Sequence, residues 1–517
     1  MALPTNDIAW PPTELNTITR TLAEWSAWYE GTPEGLQKVY NPTQAAAKYG
    51  SRPSQSSGGV VGVLARFWWG RPINRTSGLQ RVDQLHIPLA ADICQASADL
   101  LYAEPPQITI DDDATQKELN RLLDDGLHVI LASGAEIGAA LGGRYHRVTW
   151  DKVTKDRPFL TTIDADAAWP EFRWGQLVAV TFWYTLTVKG QEVWRHLERH
   201  ELNQDGDGLI IHGLYMGTPN KLGRPLPLDN HPSTEPLTTL VDEAGAILEG
   251  RTKGLLVEYV PNQRPSRRWR NDPVGRELGR SDLDGVEATM DALDEAYSSW
   301  MRDLRLAKSR IFMPEYMMES GEPGGGAFAD LDREVYVPVN SAAPEDADAK
   351  ITLNQFTIRV TEHQQTCQEL TNVILRSAGY SAQTFGESSG AGETTATEVR
   401  SRERRSYLTR DRKIRLERPA VARIIHKMLL TSQSVFNITV NVEEPANVVF
   451  GDAIQEGGLQ LSQTTQALDT ARAASVDTKV RMNHPDWDET RIITEVEAIK
   501  AEQNIGNPAV DPFGFQG

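Results

Sequence analysis

Cysteine is nearly missing from this 517-residue chain: only Cys94 and Cys367 occur, far apart and without a CxxC partner. Such usage speaks against a disulfide framework or a thiolate metal site and for two buried reduced thiols. No run approaches the roughly 18 apolar residues needed to cross a bilayer, and Met1-Ala-Leu-Pro-Thr-Asn6 lacks the charged and apolar regions of a signal peptide. We therefore expect a soluble protein that begins in a cytoplasm and makes no membrane contact. Positive charge is also short: 53 Lys and Arg face 71 Asp and Glu, a net −18. A generic nucleic-acid coat is disfavoured, because phosphate binding depends on cations that release counterions.

Catalytic and metal signatures are absent as well. Neither the glycines at 386, 390 and 392 nor Gly324-Gly-Gly326 is followed by the Gly-Lys-Ser/Thr of a phosphate loop. Asn203-Gln-Asp-Gly-Asp-Gly208 imitates the start of a calcium loop, but Leu214 stands at the twelfth position, where a bidentate Glu is required. A hairpin turn is the expectation there. His196 and His200 have a zinc-like spacing only on a helix, and they fall in strand and turn. Asp164 and Asp166 read as turn residues rather than an acid/base pair. We expect no enzyme, no cofactor and no metal.

Against that background one segment reverses the chain's charge. From Arg400 to Lys427, eleven basic residues face three acids (Glu403, Asp411, Glu417), a local +8. At about 100° per residue Tyr407, Ile414, Val421, Ile425 and Met428 form one stripe, with Arg402, Arg405, Arg412, Lys413, Arg423 and Lys427 opposite. One face suits a core and the other suits anions. Pro419 should kink the helix near Arg415. The entry, Thr384-Phe-Gly-Glu-Ser-Ser-Gly-Ala-Gly-Glu393, is rich in residues that disfavour regular structure.

Elsewhere periodicity assigns helices to Thr13–Tyr29, to Pro88–Leu101 (stopped by Pro105-Pro106) and to Ala114–Gly142. Short β-rich runs follow from Arg144 to Val260, including Leu177–Tyr184, Glu192–Leu197 and Leu209–Tyr215, as a mixed sheet. Asp282 and Asp284 sit where acids favour a helix start. Val286, Met290, Leu293, Tyr297, Trp300 and Leu304 then repeat at steps of four and three, one continuous apolar stripe. Strand-like runs Ile311–Met317 and Arg333–Val339 flank Gly321–Gly326. A further helix, Gln355–Ser377, carries His363, Cys367, Leu370 and Ile374 on one face. Phe436–Val442 alternates like a strand. Leu459–Arg472 and Asp488–Gln503 read as helices linked by Asn483-His-Pro-Asp-Trp487. The cluster Arg264-Pro-Ser-Arg-Arg-Trp-Arg270 suits intersubunit ion pairs better than nucleic acid.

The stretch Glu369-Leu-Thr-Asn-Val-Ile-Leu-Arg-Ser-Ala-Gly-Tyr-Ser-Ala-Gln-Thr-Phe-Gly386, followed by Thr395-Ala-Thr-Glu-Val-Arg400 and the basic helix, resembles the portal proteins of tailed bacteriophages, in particular the siphovirus type. Ser281–Trp300 resembles the first stem helix of that family, and the likeness runs roughly from 85 to 505. It implies an α+β portal fold: an N-terminal region at 1–84, a mixed-sheet wing at 85–280, stem helix 1 at 281–310 and a β clip at 311–350. Stem helix 2 at 351–383, a tunnel loop at 384–394, the long basic helix with a wing return strand at 395–450 and a helical crown at 451–517 complete it.

The same resemblance implies a non-catalytic homo-oligomer, twelve subunits at one capsid vertex of the virion, assembled in the host cytoplasm. Double-stranded DNA would pass through it without sequence recognition during packaging and ejection. Its partners would be the terminase large subunit, a head-tail adaptor, and the major capsid and scaffolding proteins. In that scheme Thr384, Phe385, Gly386, Glu387, Ser388, Ser389, Gly390, Ala391, Gly392 and Glu393 form the tunnel loop. Arg402, Arg405, Arg412 and Lys413 are candidates for the channel, and the 286–304 stripe for the subunit interface. A competing class is a regulatory or architectural DNA-binding protein reading DNA with helix 400–427, although groove-entering basic helices usually continue into a dimerisation zipper.

Overall fold

The computed structural model describes residues 3–33, 35–36, 85–306, 310–314, 336–339, 352–354, 359–386, 396–443, 445–451, 465–484, 487 and 489–505. The clip expectation rests largely on residues outside this set, and the crown segments 452–464 and 506–517 and the tunnel loop from Glu387 to Glu393 lie outside it.

Helix α1 spans Asn16–Glu30, and α2, Leu89–Tyr102, ends just before the Pro pair, as expected. After β1 (Gln107–Thr109) the predicted single helix of 114–142 is in fact two. α3, Asp113–Leu122, is capped by the Asp112 carboxylate accepting from the Thr115 amide. α4 is His128–Leu141. The break falls at Gly126, whose φ of +90° only glycine adopts without strain.

Strands β2 (Gly143–Thr149), β3 (Phe159–Asp164), β4 (Ala168–Arg173), β5 (Gln176–Lys189), β6 (Glu192–Leu202), β7 (Gly208–Thr218), β8 (Lys221–Leu226) and β9 (Val257–Pro261) follow. They form two sheets, ordered β3-β2-β9 and β4-β5-β6-β7-β8. Every strand pair in both is antiparallel, which corrects the mixed-sheet expectation. Consecutive strands joined by tight turns can only pair this way, since a parallel pair needs a long crossover.

α5, Glu287–Leu306, is followed by β10 (Arg310–Pro314), β11 (Tyr336–Val339) and β12 (Thr352–Asn354), with β10 central, parallel to β11 and antiparallel to β12. α6, Val360–Ala378, ends at Gly379 in the left-handed region. A small β insert between two helices therefore stands where the sequence places it. α7 runs from Ala396 to Phe436 as one helical element through Pro419. The strand expected at 436–442 is absent. Phe436 closes α7 and the strand lies later, β13 at Asn447–Val449, antiparallel to β1. Ile438, Val440 and Val442 instead fill the core beneath α7, which is why the segment reads as apolar at every second residue.

Two cores hold this part together. In one, Trp25, Trp28, Ile93, Tyr145, Phe182, Leu293 and Ile374 join α1, α2, α5 and α6 to the sheets. In the other, Leu119, Leu131, Val421, Ile424, Ile425 and Met428 lock α7 onto α3 and α4. The chain divides into two compact units, the larger comprising 1–387 with 405–450 and the smaller comprising 388–404 with 451–517. Within the smaller one, α8 (Val476–Asn483) and α9 (Glu489–Ile505) share Val480, Ile492 and Val496. His484 stacks on Trp487 at 3.8 Å, in the linker the sequence marked.

Candidate functional site: the basic helix and its anchors

α7 presents two different faces. Arg405, Arg412, Arg415 and Arg418 are exposed. Arg402 lies on the described backbone of the helix, its side chain outside the described residues. Lys413 was expected beside them, and the structure corrects that: it is 2% exposed, with Nζ 2.6 Å from Asp282 Oδ2. Tyr380 donates its hydroxyl to the same carboxylate oxygen at 2.7 Å, and Asn262 and Gln263 donate to the other at 2.9 and 2.6 Å. Lys413 also donates to Ser97 and, at 3.2 Å, to Tyr380. Burial by itself pushes the Asp282 carboxyl up, but Lys413 and these hydrogen bonds more than offset it and hold the group below the usual carboxylate range. Asp282 is thus not a helix-start acid but the buried counter-ion of the basic helix.

One turn further along, Glu417 repeats the device. Arg144 grips it with two parallel bonds, Nη1 to Oε1 at 2.9 Å and Nη2 to Oε2 at 2.8 Å, both side chains buried. Tyr102 donates to Glu417 at 3.1 Å, and Arg144 Nε donates to His146 at 3.1 Å. Burial and the neighbouring Arg144 charge drive the His146 pKa well down, keeping it a neutral acceptor. Nearer the helix start, Thr409 donates to the Gly379 carbonyl at 2.7 Å and Arg410 to the Leu100 carbonyl at 2.6 Å. A Cβ at Gly379 would meet Thr409 Oγ1 at 2.9 Å, so α6 must end in glycine for α7 to pass. Neither ion pair was found by sequence reasoning. The available signal was the presence of Glu417 and Lys413 on a face that also carries Ser406, Thr409 and Ala420.

Other sequence candidates resolve as follows. Val286, Met290 and Leu293 are buried in the chain's own core, which corrects their assignment to a subunit interface. Tyr297 and Trp300 are half-buried, Trp300 stacking on His363 of α6 at 5.9 Å, and only Leu304, at 38% exposure, points outward. Of the Arg264–Arg270 cluster, Arg264 and Arg268 have partners within the chain. Arg268 pairs with Glu24, Asp284 and Glu287 and lies over the Trp25 ring, pinning α1 to the start of α5. Asn203 Oδ1 accepts from the Asp205 and Asp207 amides, making the expected hairpin turn. Phe385 and Gly386 close a short helical turn, with Thr384 Oγ1 2.7 Å from Ser406 Oγ. Among the described residues no group of His, Cys, Asp and Glu is arranged to hold a metal, and no helix is long and apolar enough to cross a membrane.

The family model described as phage portal protein, SPP1 Gp6-like, matches residues 19–508. The chain belongs to that family. The match reaches into both units and spans every element named above except the first three residues of α1, and it carries the coarse consequences of membership: a structural, non-enzymatic phage component of an oligomeric capsid assembly. No curated protein matches the chain.

Proposed function

We propose that the chain forms a twelve-subunit ring at one capsid vertex and gives double-stranded DNA its channel during packaging and ejection, with terminase, the head-tail adaptor, and the capsid and scaffolding proteins docking on it. The observation that carries the DNA-facing part is the split of α7: an inner face locked by two buried ion pairs, and an outer face of unburied guanidinium groups. A helix so anchored presents charge without yielding, and phosphate contacts of that kind hold DNA without reading it. The body of net −18 around it discourages the duplex from sticking elsewhere.

In this reading residues 85–280 serve as wing, α5 and α6 as stem, and β10–β12 as the base of the clip. Thr384–Glu393 is the tunnel loop and 451–517 the crown. The locked inner face of α7 also argues against the competing reading, in which the helix would have to leave its core to enter a groove. Negative-stain imaging of the purified chain tests the proposal. Rings with a central hole support it; a monomer or dimer that shifts a labelled duplex sequence-specifically rejects it.

A further inference from the structure

Two charge features of opposite sign stand apart on the larger unit. The first is a cleft of about 470 Å³ beside β9, between the turn that joins β4 to β5 and the second half of α7. Arg264, Arg415, Arg423 and Lys427 line it against a single carboxylate, Glu258, a local +3 in a chain of net −18. Glu258 is already shared, its Oε1 accepting from Arg423 at 2.6 Å and its Oε2 from Lys427 at 2.8 Å. Arg264 is exposed and donates to the Glu277 carbonyl at 2.6 Å, which brings no full charge to neutralise it. Arg415 is exposed as well, and among the described residues neither of these two guanidinium groups has a carboxylate partner.

The second feature lies at the end of β3. Asp164 closes that strand and Asp166 sits in the short turn leading to β4, both half-buried and neither paired with a cation among the described residues. Burial pushes both carboxyls up, and Asp164 raises Asp166 further. Such groups have already lost much of their water in the single subunit, so a cation that reaches them gains Coulombic energy at little added desolvation cost. The acids and the cleft cannot meet within one chain. β3 and β9 are opposite edges of one sheet, and the six residues of β4 run from the acids towards the cleft, a span of about 20 Å at about 3.3 Å per residue.

We propose that the cleft receives Asp164 and Asp166 of a second copy of this chain and so forms a contact between neighbouring subunits of the ring. A closed ring needs a heterologous contact, two different patches on each subunit, and patches of opposite charge fix both partner and register. Phe172, Leu177 and Pro419 also line the cleft, and apolar walls strengthen the ion pairs formed between them. A DNA backbone in the cleft would satisfy its cations and leave the half-buried acids unpaired, whereas a second copy satisfies both at once. Arg405 and Arg412, which are not in its lining, remain for the duplex.

This inference rests on the ring reading above, and the two fail separately. Mass photometry of the unmodified chain comes first: absence of rings rejects the portal reading and this contact with it. With rings present, two variants are compared, one carrying Arg264→Glu and Arg415→Glu, the other Asp164→Lys and Asp166→Lys. Each alone sets like charges against each other at every contact and is expected to raise the subunit concentration at half dissociation at least tenfold, with unchanged circular dichroism. An equimolar mixture should restore rings, since alternating copies make every contact either native or fully reversed. Should a reversed chain lose its native circular dichroism, Arg415→Gln and Asp166→Asn take the place of the reversals: each should weaken assembly, and the two together no more than the larger single effect. Rings that tolerate either reversal within twofold, a folded mixture that stays as single subunits, or neutral variants whose effects add all overturn the inference. Unaltered rings that hold less DNA after Arg264→Glu with Arg415→Glu overturn it too, and give the cleft to the duplex.

Discussion

Arg412 and Lys413 are adjacent in the chain and opposite in the fold. Arg412 ends in water. Lys413 ends inside the core against Asp282, with Tyr380 and Ser97 completing its ammonium contacts. The same kind of charge therefore serves two ends on one helix, and the difference lies in what each costs to remove. A buried cation leaves an uncompensated partner behind, whereas a solvated one leaves nothing. A run of basic residues is thus not a single functional unit, and burial has to be known before charge is assigned a role.

The largest effect should come from the inner face. Lys413→Ala strands the Asp282 carboxylate and is expected to cost about 3–5 kcal/mol, read as a lower denaturant midpoint; Lys413→Met combined with Asp282→Asn should recover much of that. Loss of less than about 1 kcal/mol in the single variant would show that the pair does not anchor α7. Next, Trp300→Ala removes a half-buried ring and its stack on His363, and about 2 kcal/mol is expected, below the range for a fully buried indole. Thermal melting of the unassembled chain separates this from any effect on rings.

A third test uses acid. Because the folded Asp282 carboxyl lies below its unfolded value, the stability it contributes is present above about pH 4 and is lost as pH falls through the folded pKa. Asp282→Asn combined with Lys413→Met should therefore flatten the acid limb of a stability-versus-pH curve while leaving the curve's shape above pH 5 unchanged. Identical acid limbs would assign the acid sensitivity to other carboxylates. The smallest effect on folding belongs to the outer face: Arg405→Glu with Arg412→Glu should change stability by no more than about 0.5 kcal/mol. Assembled particles should nevertheless package shorter DNA or hold it less well. Full-length, stably retained genomes in that variant would remove α7 from the channel.

Much of this architecture was legible as local pattern. The apolar steps of α5, the turn chemistry at Asn203, the two helices around a small β insert and the Pro-stopped α2 all follow from spacing that neighbours along the chain enforce. What pattern could not supply was partnership at a distance. Lys413 and Arg412 are both basic residues on the predicted polar face, and only the fold, which brings Asp282 to one of them, assigns them different roles. The stripe of α5 had the same ambiguity, since periodicity reports an apolar face but not whose surface covers it. The missing strand at 436–442 shows a further limit. Alternating Ile438, Val440 and Val442 pack as a strand would while α7 and α3, not a neighbouring strand, receive them.

The closing contacts of the larger unit have a temporal side. Arg144 waits for Glu417, 273 residues later, and β1 waits for β13, with Gln107 pairing Val449. At a synthesis rate of about 5–20 residues per second, β13 emerges about 17–68 s after β1. Through that interval the apolar faces of α3 and α4 that α7 will cover stay exposed on the ribosome. The nascent chain is therefore open to chaperone capture, or to premature association with other nascent copies, for longer than any of its hairpins takes to form.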